Sequence, residues 1–192
     1  MKKTKGKLLM KAEEIDLVLA RISAEIIEKL GPEEEFAFIG IRSRGVHLAE
    51  RLRDKIEAIL KRSIPFGILD ITLYRDDFTA VSNHPILRET LIDFNINNLT
   101  VVLVDDVLYT GRTIRAAMDG IIDLGRPKKI QLAVLIDRGA RELPIQADYV
   151  GKRIEILANE TIEVLLKEED REERVVLFQN TGKPVAAAGR RG

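Results

Sequence analysis

Apolar positions recur at helical spacing over residues 8–30, at Leu8, Ile15, Val18, Leu19, Ile22, Ile26, Ile27 and Leu30. Gly31-Pro32 ends that helix. Residues 36–41 form an apolar run of strand length. After Arg42-Ser43-Arg44-Gly45, residues 46–60 are helical again, with Leu48, Leu52, Ile56 and Ile59 in register. This is a first strand–loop–helix unit. Residues 64–73, β-branched and apolar, predict a second strand. Residues 74–94 break the pattern and are polar, with Arg75, Asp76, Asp77, Arg88 and Glu89. A connection of that length inside a domain is most often a lid or binding arm; an extended hairpin used in dimer contacts fits equally. Residues 100–105 predict a third strand and residues 112–124 its helix, ended by Gly125 and Pro127. Residues 130–136 predict a fourth strand, followed by a charged loop that opens on Asp137 and Arg138. Residues 148–150 give a brief strand. Beyond Gly151 the apolar positions alternate, as in antiparallel edge strands. Residues 1–180 therefore read as a single domain. Residues 181–192, small and basic, read as a disordered tail.

Alternating strands and helices imply an α/β fold with a doubly wound, mainly parallel sheet, here with a flexible loop and a small antiparallel C-terminal part. Ligands of such sheets sit outside the C-terminal ends of the strands, where the strand order reverses. Three strand ends carry charged or glycine-bearing loops, after Ile41, Val104 and Ile136. They are expected to converge.

Composition narrows the chemistry. The 192 residues include no cysteine, which excludes disulfides, thiolate catalysis and Cys-ligated metals. Lys plus Arg and Asp plus Glu both number 31, so the overall field is not that of a general nucleic-acid binder, although a local basic face is compatible with it. No run approaches the roughly 20 apolar residues of a membrane helix. The N-terminus has charge but no long apolar centre, a poor signal peptide, so the expected location is the cytoplasm. The two histidines, His47 and His84, lack ligand or base spacing and read as non-catalytic.

The stretch with the most chemistry is TVVLVDDVLYTGRTIRAA, residues 100–117. An apolar strand runs into adjacent carboxylates, Asp105 and Asp106, then a small-residue loop with Thr110, Gly111 and Thr113, then a helix start. N–H groups at a helix start lack partners and attract anions. Gly111 allows close backbone approach. Neither a Walker loop nor a dinucleotide fingerprint is present. Two acids beside a phosphate loop would repel a phosphate unless they hold hydroxyls or a cation. A ribose diol and Mg2+ supply both.

VVLVDDVLYTGRT resembles the phosphoribosyl-pyrophosphate (PRPP) signature of type I phosphoribosyltransferases. GIRSRGVHLA, LDITLYRDD and LAVLIDRGARELPIQADYVGK are similar, in order, to blocks of the pyrimidine operon attenuator family, whose members are also uracil phosphoribosyltransferases. The resemblance spans about residues 10–152. It implies that Asp105 and Asp106 hold the ribose hydroxyls and contribute to any Mg2+ site, the ion coming mainly with PRPP. It implies a 5′-phosphate loop of Tyr109, Thr110, Gly111, Arg112 and Thr113. Arg42, Ser43, Arg44 and Gly45 would form the pyrophosphate loop. Arg75, Asp76 and Asp77 would begin the flexible loop, and Asp137 and Arg138 the hood over the base. PRPP, uracil and UMP are the implied ligands, an mRNA hairpin the implied regulatory partner, and a homodimer or higher assembly the implied state.

The chain departs from that family on the RNA-binding side. Ala20 and Ala24 stand where Thr and His are usual. R-G-H-R-E-L-P-I-R is replaced by Arg138-Gly-Ala140-Arg141-Glu-Leu-Pro-Ile-Gln146, and G-K-N-x-P-T-S by Gly151-Lys152-Arg153-Ile-Glu-Ile-Leu157. Hydrogen-bonding or basic groups are lost, which weakens both phosphate neutralisation and base reading. Arg21, Arg141, Lys152 and Arg153 remain as a residual basic face. Three readings follow: a uracil transferase with reduced RNA regulation, an RNA-binding regulator with little turnover, and a transferase for another base.

Overall fold

A computed structural model of the chain describes residues 6–74, 89–157 and 159–179. Its centre is a five-stranded parallel sheet in the order β3-β2-β4-β5-β6. The strands are β2 (Phe36–Ile41), β3 (Phe66–Leu69), β4 (Thr100–Leu108), β5 (Lys129–Asp137) and β6 (Tyr149–Arg153). All six residues of β2 are buried, as parallel strands covered on both faces must be. Helices α1 (Ala12–Leu30) and α2 (Arg44–Leu60) share one core with one face of the sheet. Helix α3 (Arg112–Leu124) and the 3-10 turn at Thr72–Tyr74 pack into the second core, on the other face. On α1 the buried positions Ile15, Leu19, Ile22 and Ile26 recur every three or four residues, the stripe that faces the sheet.

A second sheet is antiparallel, in the order β1-β8-β7, from β1 (Lys7–Lys11), β7 (Glu160–Leu165) and β8 (Arg174–Gln179). The short helix α4 (Lys167–Asp170) joins β7 to β8. Met10, Ile162, Val164, Leu166 and Val175 enter the same core as α1 and α2, so this sheet is bolted to the main body by apolar contact.

Several boundaries differ from the sequence reading. The helix expected over residues 8–30 starts at Ala12, because Lys7–Lys11 pairs with β8 instead. Leu8, Leu9 and Met10 fit either period, and the distant strand decides between them. Glu14 accepts the Lys11 backbone N–H at 2.8 Å and marks the true helix start. The second strand is shorter than expected, Phe66–Leu69. The third runs on past the acidic pair to Leu108. Near residue 90 the chain lies against β3 through an isolated antiparallel bridge between Ile68 and Leu91. Arg75, Asp76, Asp77, His84 and the 181–192 tail lie outside the described residues. No helix among the described residues is long and apolar enough to cross a membrane.

Candidate active site

The chain leaves β2 for β3 on one side, then crosses over to β4 on the other. The strand order therefore reverses between β2 and β4, and a polar cavity of about 430 Å³ opens beyond these strand ends. Arg42, Ser43, Arg44, Asp70, Thr72, Asp105, Asp106 and Thr113 line it. Two of the three loops picked out in the sequence thus meet in one place, with the start of α3.

The acidic pair sits where a neighbour strand has run out. Pairing of β2 with β4 stops at Gly40 and Val104, while β5 continues alongside β4 to Leu108 and Asp137. Each carboxylate curls back on the next backbone N–H: Asp106 N–H donates to Asp105 at 2.9 Å, and Val107 N–H to Asp106 at 2.8 Å. Local acceptance of this kind lets adjacent side chains of a strand reach the same cavity. Asp105 is only 7% exposed. Burial, and next the charge on Asp106, push its carboxyl well above the ordinary carboxylate range. Burial raises Asp106 as well, and the Arg44 guanidinium draws it back down. Such pairs favour ligands that donate hydrogen bonds or bring a cation.

The loop after β2 is held tightly. Its Arg42–Ser43 peptide is cis. Arg42 donates from Nε and Nη2 to the Glu89 carbonyl, at 3.2 and 2.9 Å. A Cβ on Gly45 would lie 2.5 Å from the Val104 carbonyl oxygen, so only glycine lets α2 start this close to β4. That contact places Arg44 beside the acidic pair.

Beyond β4, Gly111 precedes α3 with φ of 93°, the left-handed region that favours glycine. The Thr110 hydroxyl accepts the Arg112 N–H at 3.3 Å. The Thr110 carbonyl accepts the N–H groups of Glu142 and Leu143 at 3.0 and 3.1 Å, and Arg112 pairs with Glu142 at 2.7 Å. The loop after β5 is thereby stitched to the loop after β4. Asp137 accepts from Gly139 N–H at 3.0 Å and from Arg141 at 2.5 Å. The Arg138 guanidinium stacks 3.6 Å from the Tyr109 ring centroid. Asp137 and Arg138 thus belong to a loop cross-linked to its neighbour after β4, and are not among the residues lining the cavity.

The basic residues picked out as a residual RNA face are largely engaged internally. Arg141 donates to the carbonyls of Tyr109, Gly139 and Ile145 as well as to Asp137. Arg21 bonds the carbonyls of Val150 and Gly151, and Lys152 that of Leu9. Arg153 is exposed on the last residue of β6.

Three functional candidates escaped the sequence reading. Asp70 and Thr72 line the cavity at the end of β3, where Asp70 accepts both the N–H and the hydroxyl of Thr72. Their signal was the carboxylate closing the second strand in LDIT. The third is Asp170 in α4, whose carboxylate takes Arg44 in a bidentate pair at 3.0 and 2.7 Å. No local pattern announces it, because the contact spans 126 residues. His47 lies in the same seam, 3.4 Å from Glu50 and 3.2 Å from Glu169. Among the described residues no group of three or more His, Cys, Asp or Glu is placed to hold a metal by itself.

Comparison with known proteins matches residues 9–169 to the phosphoribosyl transferase domain. The bifunctional protein PyrR of Caldicellulosiruptor bescii is 53% identical over 175 residues, 91% of this chain and 96% of that protein. The bifunctional protein PyrR of Pelotomaculum thermopropionicum is 57% identical over 161 residues, 84% of this chain and 89% of that protein. Among solved structures, a hypoxanthine-guanine phosphoribosyltransferase of Bacillus anthracis aligns with a TM-score of 0.67 at 20% identity, covering 92% of this chain and 99% of that one. Hypoxanthine phosphoribosyltransferase of Trypanosoma cruzi, in a ternary substrate complex, aligns with a TM-score of 0.70 at 18% identity, covering 90% and 95%. At such identities these structures show the shared fold alone.

Proposed function

The chain belongs to the phosphoribosyltransferase family, among the bifunctional PyrR proteins, and on that premise we propose that it is a uracil phosphoribosyltransferase converting uracil and PRPP to UMP and pyrophosphate. The observation that carries this reading is one cavity bounded by a basic loop, an acidic pair and a helix start. PRPP has a group for each. Its ribose hydroxyls donate to Asp105 and Asp106. Its 5′-phosphate sits on the loop of Tyr109, Thr110, Gly111, Arg112 and Thr113, against the N–H groups that open α3. Its pyrophosphate faces Arg42, Ser43, Arg44 and Gly45.

The reaction needs no protein nucleophile. Uracil N1 displaces pyrophosphate at C1 of the ribose as positive charge builds on the ring. The chain must align the partners, stabilise the departing negative charge and keep water out. Arg44 does the second of these. Negative charge shared by the Asp105 and Asp106 carboxyl groups beneath the ribose favours the positive charge that develops there. The pair also suits Mg2+, which takes one or two carboxylates with substrate oxygens and retained waters. When bound with PRPP, the ion would add Lewis-acid neutralisation of the pyrophosphate. The hood loop with Asp137 and Arg138 would cover the base.

A weakened RNA face is part of the proposal, with UMP as product and effector. Ala20, Ala24, Ala140 and Gln146 replace groups that would bond or pair with RNA, and Arg21, Arg141 and Lys152 already hold internal partners. Titration with a pyrimidine-leader hairpin, with and without UMP, is expected to give weak, salt-sensitive binding; tight UMP-dependent binding would instead favour the regulator reading. A cytoplasmic homodimer or larger assembly completes the proposal, and light scattering reports the mass. The deciding assay is pyrophosphate release from PRPP with uracil, guanine, hypoxanthine or orotate in turn. Uracil is expected to lead. Preference for another base would overturn the substrate assignment.

A further inference from the structure

We propose that Asp170 is a positioning residue for catalysis: from the short helix α4, between the strands β7 and β8, it holds the Arg44 guanidinium at the pyrophosphate end of the cavity. The inference rests on the reading of Arg44 as a pyrophosphate ligand.

Arg44 stands between two anions. Asp106 is beside it in the cavity, and Asp170 grips it from α4. Asp170 uses both oxygens, on Nε and Nη2, at 3.0 and 2.7 Å. This fork geometry fixes the plane of the guanidinium as well as its place. A guanidinium has five N–H groups, so such a pair still leaves donors for an anion in the cavity. The hydrogen bonds from Arg44 in turn hold Asp170 below the usual carboxylate range, as an anion at neutral pH.

Asp170 is itself set rigidly. Its carboxylate accepts the Leu166 N–H at 2.9 Å, and its own N–H donates to the Leu166 carbonyl at 2.7 Å. Leu166 is fully buried in the core shared with α1 and α2. The chain of position therefore runs from core to Leu166, to Asp170, to Arg44, to the leaving group. Without Asp170, the strongest remaining partner for Arg44 is Asp106, and collapse onto it would both withdraw the cation from pyrophosphate and occupy a ribose acceptor.

The seam between α2 and α4 does not depend on this one pair. His47 meets Glu169 at 3.2 Å, and Arg51 meets Glu168 at 2.8 Å and also pairs with Glu173. Removing Asp170 thus perturbs Arg44 while the seam stays docked, and Glu169→Ala serves as a docking control.

The test is calorimetric titration of magnesium pyrophosphate and, separately, UMP into the full chain, with the KM for pyrophosphate in the reverse reaction. Asp170→Ala is expected to weaken pyrophosphate about tenfold or more and to leave UMP affinity within about twofold. Asp170→Glu should recover part of the loss, and Glu169→Ala should bind pyrophosphate as the wild type does. In an Arg44→Ala background, Asp170→Ala should add nothing, since a positioning residue acts only through its target. Wild-type pyrophosphate affinity in Asp170→Ala would overturn the proposal, as would a parallel loss of UMP or an undiminished effect in the Arg44→Ala background. If Arg44→Ala itself binds pyrophosphate normally, the underlying reading of Arg44 fails, and the proposal with it. A loss in Arg44→Ala with none in Asp170→Ala overturns the proposal alone.

Discussion

Replacing Asp105 by Asn should make the unliganded protein more stable and the enzyme far worse. The Asn carbonyl can still accept the Asp106 N–H that Asp105 accepts at 2.9 Å, so the local hydrogen bond survives. The change removes a charge that burial and Asp106 both disfavour. Each pKa unit by which the folded carboxyl exceeds the unfolded value of about 3.9 costs about 1.4 kcal/mol once the group is ionised. A gain of about 1–3 kcal/mol is the expected scale for relieving a buried like-charge pair. For a chain of this size that raises the melting temperature by roughly 2–4 °C per kcal/mol. The sign of the pH dependence is fixed. A folded pKa above the unfolded one stabilises the fold fully below about pH 4, and that stability is lost as pH rises through the folded pKa. The wild type and Asp105→Asn should therefore melt together in acid and separate toward neutral pH, with the variant higher. Thermal unfolding followed by circular dichroism from about pH 4 to pH 8, without substrates, checks this. A variant less stable than wild type at neutral pH, or a gap that does not vary with pH, would refute the reasoning. In turnover the same variant should lose roughly ten- to a hundredfold in kcat/KM, the worth of one charged hydrogen bond of about 1.5–3 kcal/mol.

Gly111→Ala should lower stability by about 1–2 kcal/mol, because its φ of 93° is costly for any residue with a Cβ, and should raise the KM for PRPP; thermal melts and initial rates measure both. Tyr109→Ala removes the stack under Arg138 at 3.6 Å, worth about 0.5–2 kcal/mol. If this stack orders the hood, the KM for uracil rises while the affinity for pyrophosphate stays unchanged, which steady-state kinetics separates.

Local pattern carried most of the main sheet. The buried runs at β2, β4 and β5 and the helical stripes of α1, α2 and α3 are periodic enough to be read directly, and parallel order followed from their alternation. Long-range choices were not legible. Residues 7–11 are ambiguous between strand and helix until β8 arrives to pair with them. The reach of β4 to Leu108 depends on β5 as a neighbour.

The site divides the same way. Arg44 and Thr113 lie at the starts of helices, and Asp105 and Asp106 just past the last β4 residue paired with β2, so all four meet at the crevice where the strand order reverses. Asp137 and Arg138 were legible as a loop, but their cross-links to Tyr109 and Thr110 were not. Arg141 read as surface charge, yet a guanidinium with many donors is well suited to satisfy several loop carbonyls at once. Asp170 lies in a run of charges, Lys167 to Glu173, that looks like a solvated turn. Its partner became visible only when the antiparallel sheet was folded back over α2.

The measurement closest to the central claim is the affinity for PRPP with Mg2+, titrated into the wild type and Asp106→Asn. Asp106 touches the fold locally through the Val107 N–H, a bond that Asn keeps, so the variant should remain folded. If the cavity between β2 and β4 holds the activated ribose, the wild type binds PRPP, and Asp106→Asn loses about tenfold to a hundredfold, as for one charged hydrogen bond. Equal PRPP affinity in the two proteins would contradict it.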